Sequence, residues 1–507
     1  MFILPSLFGI TEASSLPAAL ILFFAVSAFF FPRFFRKKNA DRNNRRFSHL
    51  LVLLLLIMTA AFRISSVQAD NIILGSGAII ENNKVYFGTY NNSPVLWRVM
   101  RRGNAGSGML LLSDIILDSI QFNPNINLNP DNNSGNVWYD SETNTSSQAR
   151  NWCGDFFTNH FTEVEKSAVI ETSKTDAAYN GKNVVFGTSS LNKEHVFFLS
   201  AEEAEKFYFP LNDDSSRKTT DEDTWWWLRS PHAYDSIAAG DVKPDDGKVG
   251  IRNVDNDDGA RPAFNLNLTS VLFSSEISSE SSKSYKLTLV DTGQTVSVTS
   301  GKTLTRNSLT SVTVPYTIDT GSNHVSLLIT NNNDTWTAGT GWSSGAAAQY
   351  YETAAVTDST GTVTFTLPDK YEDNRVVQKV WLLAEDVNDG NQSNYAGAPV
   401  EVTIPYLLQF APGEGGSGTM DSKSVSEGDS FRFPACTFTP PAGKIFDHWK
   451  ISGVDGLFYE GSVISIVPNC VENGVITVTA YWNDAPRLRL PKLQRPKTRP
   501  ISIQHRN

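Results

Sequence analysis

The sequence predicts an exported, multi-domain protein that consists mainly of β-structure. Three observations carry this prediction. The chain has 507 residues, which is enough for about three domains of ordinary size. Short runs of alternating apolar and polar residues recur along its second half, as expected for β-strands. An apolar segment near the N-terminus, preceded by basic residues, has the pattern of an export signal.

The region 1–69 contains two apolar segments. The second, 50–62, has the length of a signal-peptide core, and Val67 and Ala69 fit the third-last and last positions before a cleavage site. We therefore expect cleavage after Ala69 and a secreted or cell-surface protein. The first apolar segment, 16–32, is either a transmembrane helix, which tethers the protein if the signal stays uncleaved, or lies upstream of the true start.

Charge is distributed unevenly along the chain. The net charge is −10 overall, but residues 70–484 carry 28 basic and 51 acidic side chains, a net charge of −23. Such an acidic body repels phosphate backbones, so nucleic acid is not an expected partner. The tail 484–507 is basic. It either holds the protein to anionic wall polymers or is disordered without a role.

Composition divides the expected exported part into four segments before the tail. Residues 70–272 mix strand and helix signals and predict an α+β domain, called the head here. Residues 273–284 are Ser-rich and predict a linker with almost nothing to bury. Residues 285–405, the middle module, contain closely spaced short strands typical of an immunoglobulin-like β-sandwich. Residues 406–483 form a Gly-rich C-terminal module.

Local signals predict the elements of the head. Asn91 and its neighbours favour a turn between two paired strands. The aromatic residues of 147–158 recur with helical spacing and predict a helix. Ser200 and Glu203 have the spacing of a capping box, in which each side chain bonds an amide at a helix N-terminus. The predicted strands of the head are 84–88, 95–99, 109–112, 195–199, 225–230 and 260–266.

Two motifs near the end of the head are distinctive, WWLRSP at 226–231 and GARPAFNL at 259–266. With the matching segments that precede them, they make 80–268 resemble DUF6273, a domain of unknown function in exported bacterial proteins. The family is similar in pattern to C-type-lectin-like and formylglycine-generating-enzyme-like domains, so the resemblance implies a C-type-lectin-like head. It does not imply formylglycine-generating activity, which needs two cysteines where this domain has Cys153 alone.

The C-terminal module carries four motifs in a fixed order. They are GGSGTM at 415–420, FPACTF at 433–438, AGKIFDHW at 442–449 and ITVTAYW at 476–482. In this order they are similar to one copy of the Listeria–Bacteroides repeat, also called the InlB B-type repeat. Such repeats form small β-grasp-like modules that serve as stalks or spacers on bacterial surface proteins. The resemblance implies the same fold and role here.

The tryptophan-rich strand of the head is the main candidate ligand site. Trp225, Trp227 and Arg229 occupy alternate positions and therefore share one face of the strand. That face either packs in the core or presents rings and a guanidinium to a sugar ring or a carboxylate. Arg261 in the GARP motif allows the same two interpretations, a ligand contact or an arginine that holds a loop in place.

Two further sites are predicted with open alternatives. Asp255, Asp257 and Asp258 have the oxygen-ligand spacing of half a calcium loop, but such runs are also ordinary turns. Calcium is the only cofactor that the sequence suggests. Cys436 and Cys470 are a candidate disulfide of the C-terminal module, formed after export. In the repeat family, however, the cysteine at the first of these positions often stands alone.

No catalytic residues are predicted. The histidines of the head are scattered, without HxH or HExxH spacing, and Ser230 lies in LRSP instead of a GxSxG elbow. The main hypothesis is therefore a non-enzymatic binding or adhesion protein for an extracellular glycan, peptide or cell-wall polymer, with membrane contact through its N-terminal apolar segments. One alternative is an enzyme with Arg229, Arg261 and a carboxylate in a solvent-lined cleft. The other is a structural envelope protein without a concave site.

Overall fold

The fold is that of a computed structural model of the chain. It describes residues 72–486 except 105, 125–134, 141–144, 183, 208–210, 212, 220–223, 279–282, 299–300, 368–377 and 473. The predicted export signal in 1–69, the apolar segment 16–32 and the basic tail from 487 onward lie outside these residues. All described residues belong to one compact unit. Among them, no helix combines the length and apolar content that crossing a bilayer requires.

The described part of the chain is mainly β, as predicted. The head contains the helices α1 (Gln148–His160) and α2 (Glu163–Ser167) and a π-helical turn at Glu203–Phe207. Short 3₁₀ turns lie at Ser215–Arg217 and Leu268–Ser270. Its strands are β1 (Ile72–Leu74), β2 (Lys84–Tyr90), β3 (Ser93–Arg102), β4 (Met109–Ser113), β5 (Asp118–Gln121), β6 (Tyr139–Asp140), β7 (Thr145–Ser146), β8 (Thr172–Asp176), β9 (Tyr179–Asn180), β10 (Val185–Phe186), β11 (Ser189–Glu194), β12 (Val196–Phe197), β13 (Trp226–Pro231), β14 (Ala238–Val242), β15 (Val249–Asn253), β16 (Asp257–Ala260), β17 (Ala263–Leu266) and β18 (Val271–Ser278).

Three local predictions for the head are confirmed. Strands β2 and β3 form an antiparallel hairpin, and Asn91 at its turn has a φ of 49°, a left-handed conformation that Asn tolerates. Helix α1 begins where Ser147 accepts a hydrogen bond from the amide of Arg150. The capping box is formed as well, because Ser200 N–H donates to Glu203 and the amide of Glu203 donates to Ser200 Oγ.

Two sheets organise the head. One contains β12, β17, β4, β3 and β2 in this order, and the other runs β15, β14, β13, β16, β5. Strand β13 therefore lies at the centre of the second sheet. It pairs antiparallel with β14 and, at Trp226, parallel with β16. A central strand with both faces covered buries all of its side chains. The side chains of the motif at 226–231 are therefore buried.

The middle module contains two facing sheets. Val312 and Val314 of one sheet and Val325 and Leu327 of the other are buried in one hydrophobic cluster, which forms the centre of a sandwich. Its strands are β19 (Ser284–Val290), β20 (Val296–Val298), β21 (Thr305–Ser308), β22 (Ser311–Ile318), β23 (His324–Asn331), β24 (Trp336–Thr337), β25 (Gly341–Trp342), β26 (Tyr350–Ala355), β27 (Thr360–Thr366), β28 (Gln378–Asp386), β29 (Asn394–Ala396) and β30 (Val400–Val402).

The segment 273–284 differs from the predicted linker. Residues up to Ser278 lie in β18, which pairs with both β1 and β19, and the side chains of Phe273 and Ser274 are buried. The prediction that this segment buries almost nothing is therefore wrong for 273–278. Serine-rich composition favours a flexible chain, but pairing on both edges satisfies the backbone and makes these residues part of a sheet.

One continuous sheet joins the head to the middle module. Strand β19 pairs in parallel with β2 at Ser284 and Tyr285 and with β29 from Thr288 to Val290, while β18 pairs with it antiparallel. Its residues Tyr285, Leu287 and Leu289 lie in the hydrophobic core of the head. A head domain that ended at residue 272 would therefore lack one strand of its sheet and part of its core.

Glu165 on α2 also connects the head to the middle module. Its carboxylate is buried and accepts hydrogen bonds from the Gly88 amide at 3.0 Å and from Ser393 Oγ at 2.9 Å. It also accepts from the Thr162 amide, which it caps. Thr162 in turn contacts the hydroxyl of Tyr395 at 2.9 Å. One carboxylate thus links α2, strand β2 and the loop before β29.

The C-terminal module is built on the five-stranded order β32, β31, β37, β34, β35, in which β31 and β37 are parallel. Trp449 is fully buried at its centre and donates from Nε1 to the carbonyl of Pro434 at 2.9 Å. Its strands are β31 (Tyr406–Ala411), β32 (Lys423–Val425), β33 (Ser430–Arg432), β34 (Lys444–Ile451), β35 (Val454–Phe458), β36 (Val463–Ser465) and β37 (Val475–Asp484), with a 3₁₀ turn at Pro468–Cys470.

The predicted disulfide of this module is absent. Cys436 and Cys470 are both free thiols. Cys470 is buried beneath the turn at Gly453, where a Cβ on the glycine would come within 3.4 Å of its Cα. Cys436 is only partly buried. Both side chains belong to the hydrophobic core of the module, but no bond joins them, so the predicted bridge is not formed.

Candidate functional site

Trp227 is a core residue. Its side chain has no exposed surface, its Nε1 donates to the carbonyl of Ile120 at 2.8 Å, and its ring packs edge-to-face on Phe122. Trp226, on the other face of β13, is buried too and donates to the carbonyl of Arg217. The hypothesis that Trp227 presents its ring to a ligand is therefore wrong, and the packing alternative holds.

Arg229 is also buried, with no exposed surface. Its guanidinium donates to the carbonyl of Phe198 and to the carboxylate of Glu203, each at 2.6 Å, and forms an ion pair with Asp176. These partners come from the capping box and from strand β8, which close over this end of β13. The prediction that Arg229 contacts a ligand is therefore wrong.

Arg261 holds loops in place, the second interpretation of the GARP motif. It is fully buried, and its Nε donates to the carbonyl of Ser113 at 3.0 Å while Nη1 donates to the carbonyl of Arg217 at 3.1 Å. Its guanidinium lies 4.8 Å from the ring centroid of Trp226. Because Arg229 and Arg261 are both sealed, the solvent-lined cleft that the enzyme alternative placed around them is not formed.

Trp225 has a different environment from Trp227. It is half-buried and lies one residue before β13. It lines a cavity of about 200 Å³, called the tryptophan cavity here, on the β14–β15 side of the sheet. The other lining residues are Val184, Lys243, Lys248, Val249, Gly250 and Ile251. Of the four predicted ligand-binding residues, Trp225 alone reaches a cavity.

Two cationic groups lie over the Trp225 ring. Arg252 is 4.5 Å and Lys243 is 5.4 Å from the ring centroid. Arg252 also forms an ion pair, because its Nε lies 3.0 Å from a carboxylate oxygen of Asp258. Lys248, at the same cavity, is exposed and pairs with Asp246 at 2.5 Å. The cavity therefore combines an aromatic surface with positive charge.

Asp241 lies beneath this cavity. It sits opposite Gly250 across the β14–β15 pair, and a Cβ on Gly250 would lie 3.2 Å from Asp241 Oδ1, so the glycine leaves room for the carboxylate. Its side chain has no exposed surface, and neither oxygen accepts a hydrogen bond from the described residues. Burial, and then the charge of Asp258, raise the pKa of Asp241 well above its ordinary value. The group is therefore stabilised in its neutral form.

The predicted calcium loop is not assembled. Asp258 is buried and paired with Arg252, whereas Asp255 and Asp257 are exposed. Strand β16 begins at Asp257, so the side chains of Asp257 and Asp258 point to opposite faces. Within the described ranges, no group of three or more His, Cys, Asp or Glu side chains could hold a metal ion. The calcium prediction for these three residues is wrong.

A second cavity, of about 270 Å³, lies against the first sheet of the head and is called the lysine cavity here. Lys174 on β8 reaches into it and forms ion pairs with Glu203 and with Asp176. The cavity is lined by Arg101, Gly106, Ser107, Leu110, Ile170, Glu171, Thr172, Ser173, Lys174, Phe197, Glu203 and Asn265. It shares no lining residue with the tryptophan cavity.

The lysine cavity was not predicted. Burial, and then the neighbouring charge of Arg229, lower the pKa of Lys174 to about 7, and the carboxylate of Asp176 opposes this shift. Glu203 was identified in the sequence, but as a helix cap. Nothing in the local pattern around Lys174 indicates that a residue 29 positions later supplies its partner.

Comparison with known proteins supports the family resemblance of the head. Residues 106–268 match the model of a domain of unknown function, DUF6273. The matched part includes β13, Arg229, Arg261, every lining residue of the tryptophan cavity and every lining residue of the lysine cavity except Arg101. None of the curated proteins and none of the solved structures compared with the chain matches it.

Proposed function

We propose that the protein is an exported, non-enzymatic binding protein whose head holds a carboxylate-bearing saccharide in the tryptophan cavity. The observation that carries this proposal is the half-buried ring of Trp225 at a cavity that Lys243 and Lys248 also line. A sugar ring stacks on an indole through its apolar C–H face, and a sugar carboxylate pairs with an ammonium group.

The charges around the cavity favour an acidic ligand over a neutral one. Among the described residues, the Lys243 ammonium lies near the Trp225 ring and forms no ion pair with a carboxylate. Asp241 beneath it is stabilised as the neutral acid and so adds little opposing charge. In an otherwise acidic body with a net charge of −23 over 70–484, this positive region is locally distinct.

The other modules serve as supports in this proposal. The resemblance of the head to C-type-lectin-like domains agrees with saccharide binding, although a fold alone does not decide function. The resemblance of the C-terminal module to InlB B-type repeats agrees with a spacer. The shared sheet and the hydrogen bonds of Glu165 connect the head directly to the middle module, which therefore supports the cavity.

The test is a glycan array probed with Ser65–Asn507, which keeps β19 in the head. We expect binding to uronic-acid oligosaccharides and loss of binding to their carboxyl-reduced forms, with and without calcium. Trp225→Ala should abolish binding. Tyr234→Ala is the matched control, because Tyr234 is a highly exposed aromatic residue of the head and lines neither cavity.

Three results would contradict the proposal. The first is no binding to any acidic oligosaccharide on the array. The second is equal binding of the acidic and the carboxyl-reduced forms, which would remove the role of the lysines. The third is an equal effect of Trp225→Ala and Tyr234→Ala, which would place the binding surface elsewhere.

A further inference from the structure

We propose that the lysine cavity is a separate binding site for a small apolar α-amino acid. Its lining divides into three parts that correspond to the three parts of such a ligand. Arg101 and Lys174 suit the carboxylate, Asn265 and Glu171 suit the ammonium group, and an apolar wall suits the side chain. The cavity of about 270 Å³ has room for a molecule of this size.

Asn265 marks the position of the ammonium group. Its side chain is more than nine-tenths buried and lines the cavity. Nδ2 donates to Thr172 Oγ1 at 2.9 Å, which orients the amide, while Oδ1 accepts no hydrogen bond within the described part of the chain. A buried acceptor without a donor costs free energy, and a ligand N–H group satisfies it. Glu171, exposed at the same cavity, adds the opposite charge.

The cations of the cavity mark the position of the carboxylate. Arg101 and Lys174 both line it, so both are available to an anionic group that binds there. A negative charge close to Lys174 favours its protonated form. Behind the cavity, Arg229 is neutralised by Asp176 and Glu203, which also hold Lys174.

The charges of this cluster favour a zwitterion over a simple ion. The lining of the cavity contains two basic residues, Arg101 and Lys174, and two acidic residues, Glu171 and Glu203. A zwitterion can contact both kinds of group and adds no net charge, whereas an anion or a cation alone would add a net charge to a partly buried site.

The apolar wall determines which amino acids fit. Leu110 and Phe197 are buried side chains that line the cavity, and Ile170 lies beside them, partly buried. An aliphatic side chain placed against this wall is removed from water, which stabilises the complex by about 25 cal/mol per Å² of apolar area. The ligand class is therefore leucine-like, and polar amino acids should bind more weakly.

Isothermal titration of Ser65–Asn507 with L-leucine tests the proposal. We expect saturable binding of leucine and at least about tenfold weaker binding of isocaproate, which lacks the ammonium group, and of isoamylamine, which lacks the carboxylate. Arg101→Gln should weaken leucine binding at least about tenfold, as expected when a charge-assisted hydrogen bond is lost. Arg102→Gln is the matched control, because Arg102 is exposed and does not line the cavity.

Asn265→Ala provides a second variant. It should reduce the affinity difference between leucine and isocaproate, because it removes an acceptor for the ammonium group.

Thermal unfolding without ligand verifies that each variant is folded. The comparison of ligands on the unmodified protein does not depend on any variant. No saturable binding of leucine, equal binding of leucine, isocaproate and glucose, or equal effects of Arg101→Gln and Arg102→Gln would each overturn the proposal. Since the two cavities share no residue, Trp225→Ala should leave leucine binding unchanged.

Discussion

Trp225 lies one residue before β13 and Arg229 lies four positions later within it, and alternation in a regular strand would place both on one face. The register of β13 against β14 shifts between Trp227 and Pro231. Arg229 is sealed by the capping-box segment and by β8, and three carbonyl and carboxylate groups satisfy it. Trp225 lies where β14 and β15 leave a cavity, and its ring stays half-buried. The difference shows that alternate positions in the sequence do not imply equal burial. Depth depends on which distant segments cover each end.

The largest effect on stability is expected at the Arg229 end. Arg229→Met leaves the buried carboxylate of Glu203 and the partly buried carboxylate of Asp176 without their guanidinium, so the free energy of unfolding should fall by about 3–5 kcal/mol. Urea unfolding of Ser65–Asn507 measures this. Arg102→Met, at an exposed arginine, is the control and should cost less than about 1 kcal/mol. Similar losses for both variants would show that Arg229 is not a buried ionic centre.

Glu165, a buried carboxyl group outside β13, allows a second test of how buried polar contacts stabilise the fold. Glu165→Gln replaces an acceptor of three donors with a group that accepts at one end and donates at the other. We expect a loss of about 1–3 kcal/mol in the free energy of unfolding. Glu163→Gln on the same helix is the control, because Glu163 is exposed and pairs only with Lys166 among the described residues. A loss no larger than that of the control would mean that Glu165 does not fasten the junction.

The Trp225 end also contains a buried acid, and its effect depends on pH. The pKa of Asp241 is raised in the folded protein, so the folded state prefers the proton and stability falls as pH rises above the ordinary Asp value. Between pH 4 and pH 8 the unmodified protein should lose at least about 1.4 kcal/mol more than Asp241→Asn, the equivalent of one pKa unit. Urea unfolding at both pH values measures the difference. Parallel pH profiles for the two proteins would contradict it.

The smallest effect on stability is expected at Trp225 itself. Because its ring is half-exposed, Trp225→Ala should lower the free energy of unfolding by about 1 kcal/mol, whereas Trp227→Ala should cost about 3–5 kcal/mol. The two variants remove the same side chain two positions apart, so each controls for the other. Equal losses in urea unfolding would show that Trp225 belongs to the core and would remove the basis for the proposed saccharide site.

Several elements of the fold follow from short-range signals in the sequence. The Asn91 turn, the helix after Ser147 and the capping box at Ser200 are all formed as predicted. Each depends on groups within about four residues of one another, because a turn or a helix cap is completed by neighbouring amides and side chains. The mainly β class likewise follows from alternation along each strand.

The predictions that failed concern contacts between distant segments. Arg261 is held by a carbonyl 148 positions away, and Arg229 by a carboxylate 53 positions away. The Ser-rich segment became a strand because β1 and β19 lie on both of its edges. The predicted disulfide is not formed either, although both cysteines pack in the core of the C-terminal module.

By itself, the sequence determined that this protein is mainly β, where the Asn91 turn, the helix after Ser147 and the Ser200 capping box lie, and that its head resembles DUF6273. Only the tertiary structure decided that Trp225 reaches a cavity while Trp227, Arg229 and Arg261 are sealed. The tertiary structure also brought Lys174, Glu203 and Asn265 together. The physical reason is that periodicity and capping are properties of neighbours in the chain, whereas burial and ion pairing depend on which remote strands pack against each residue.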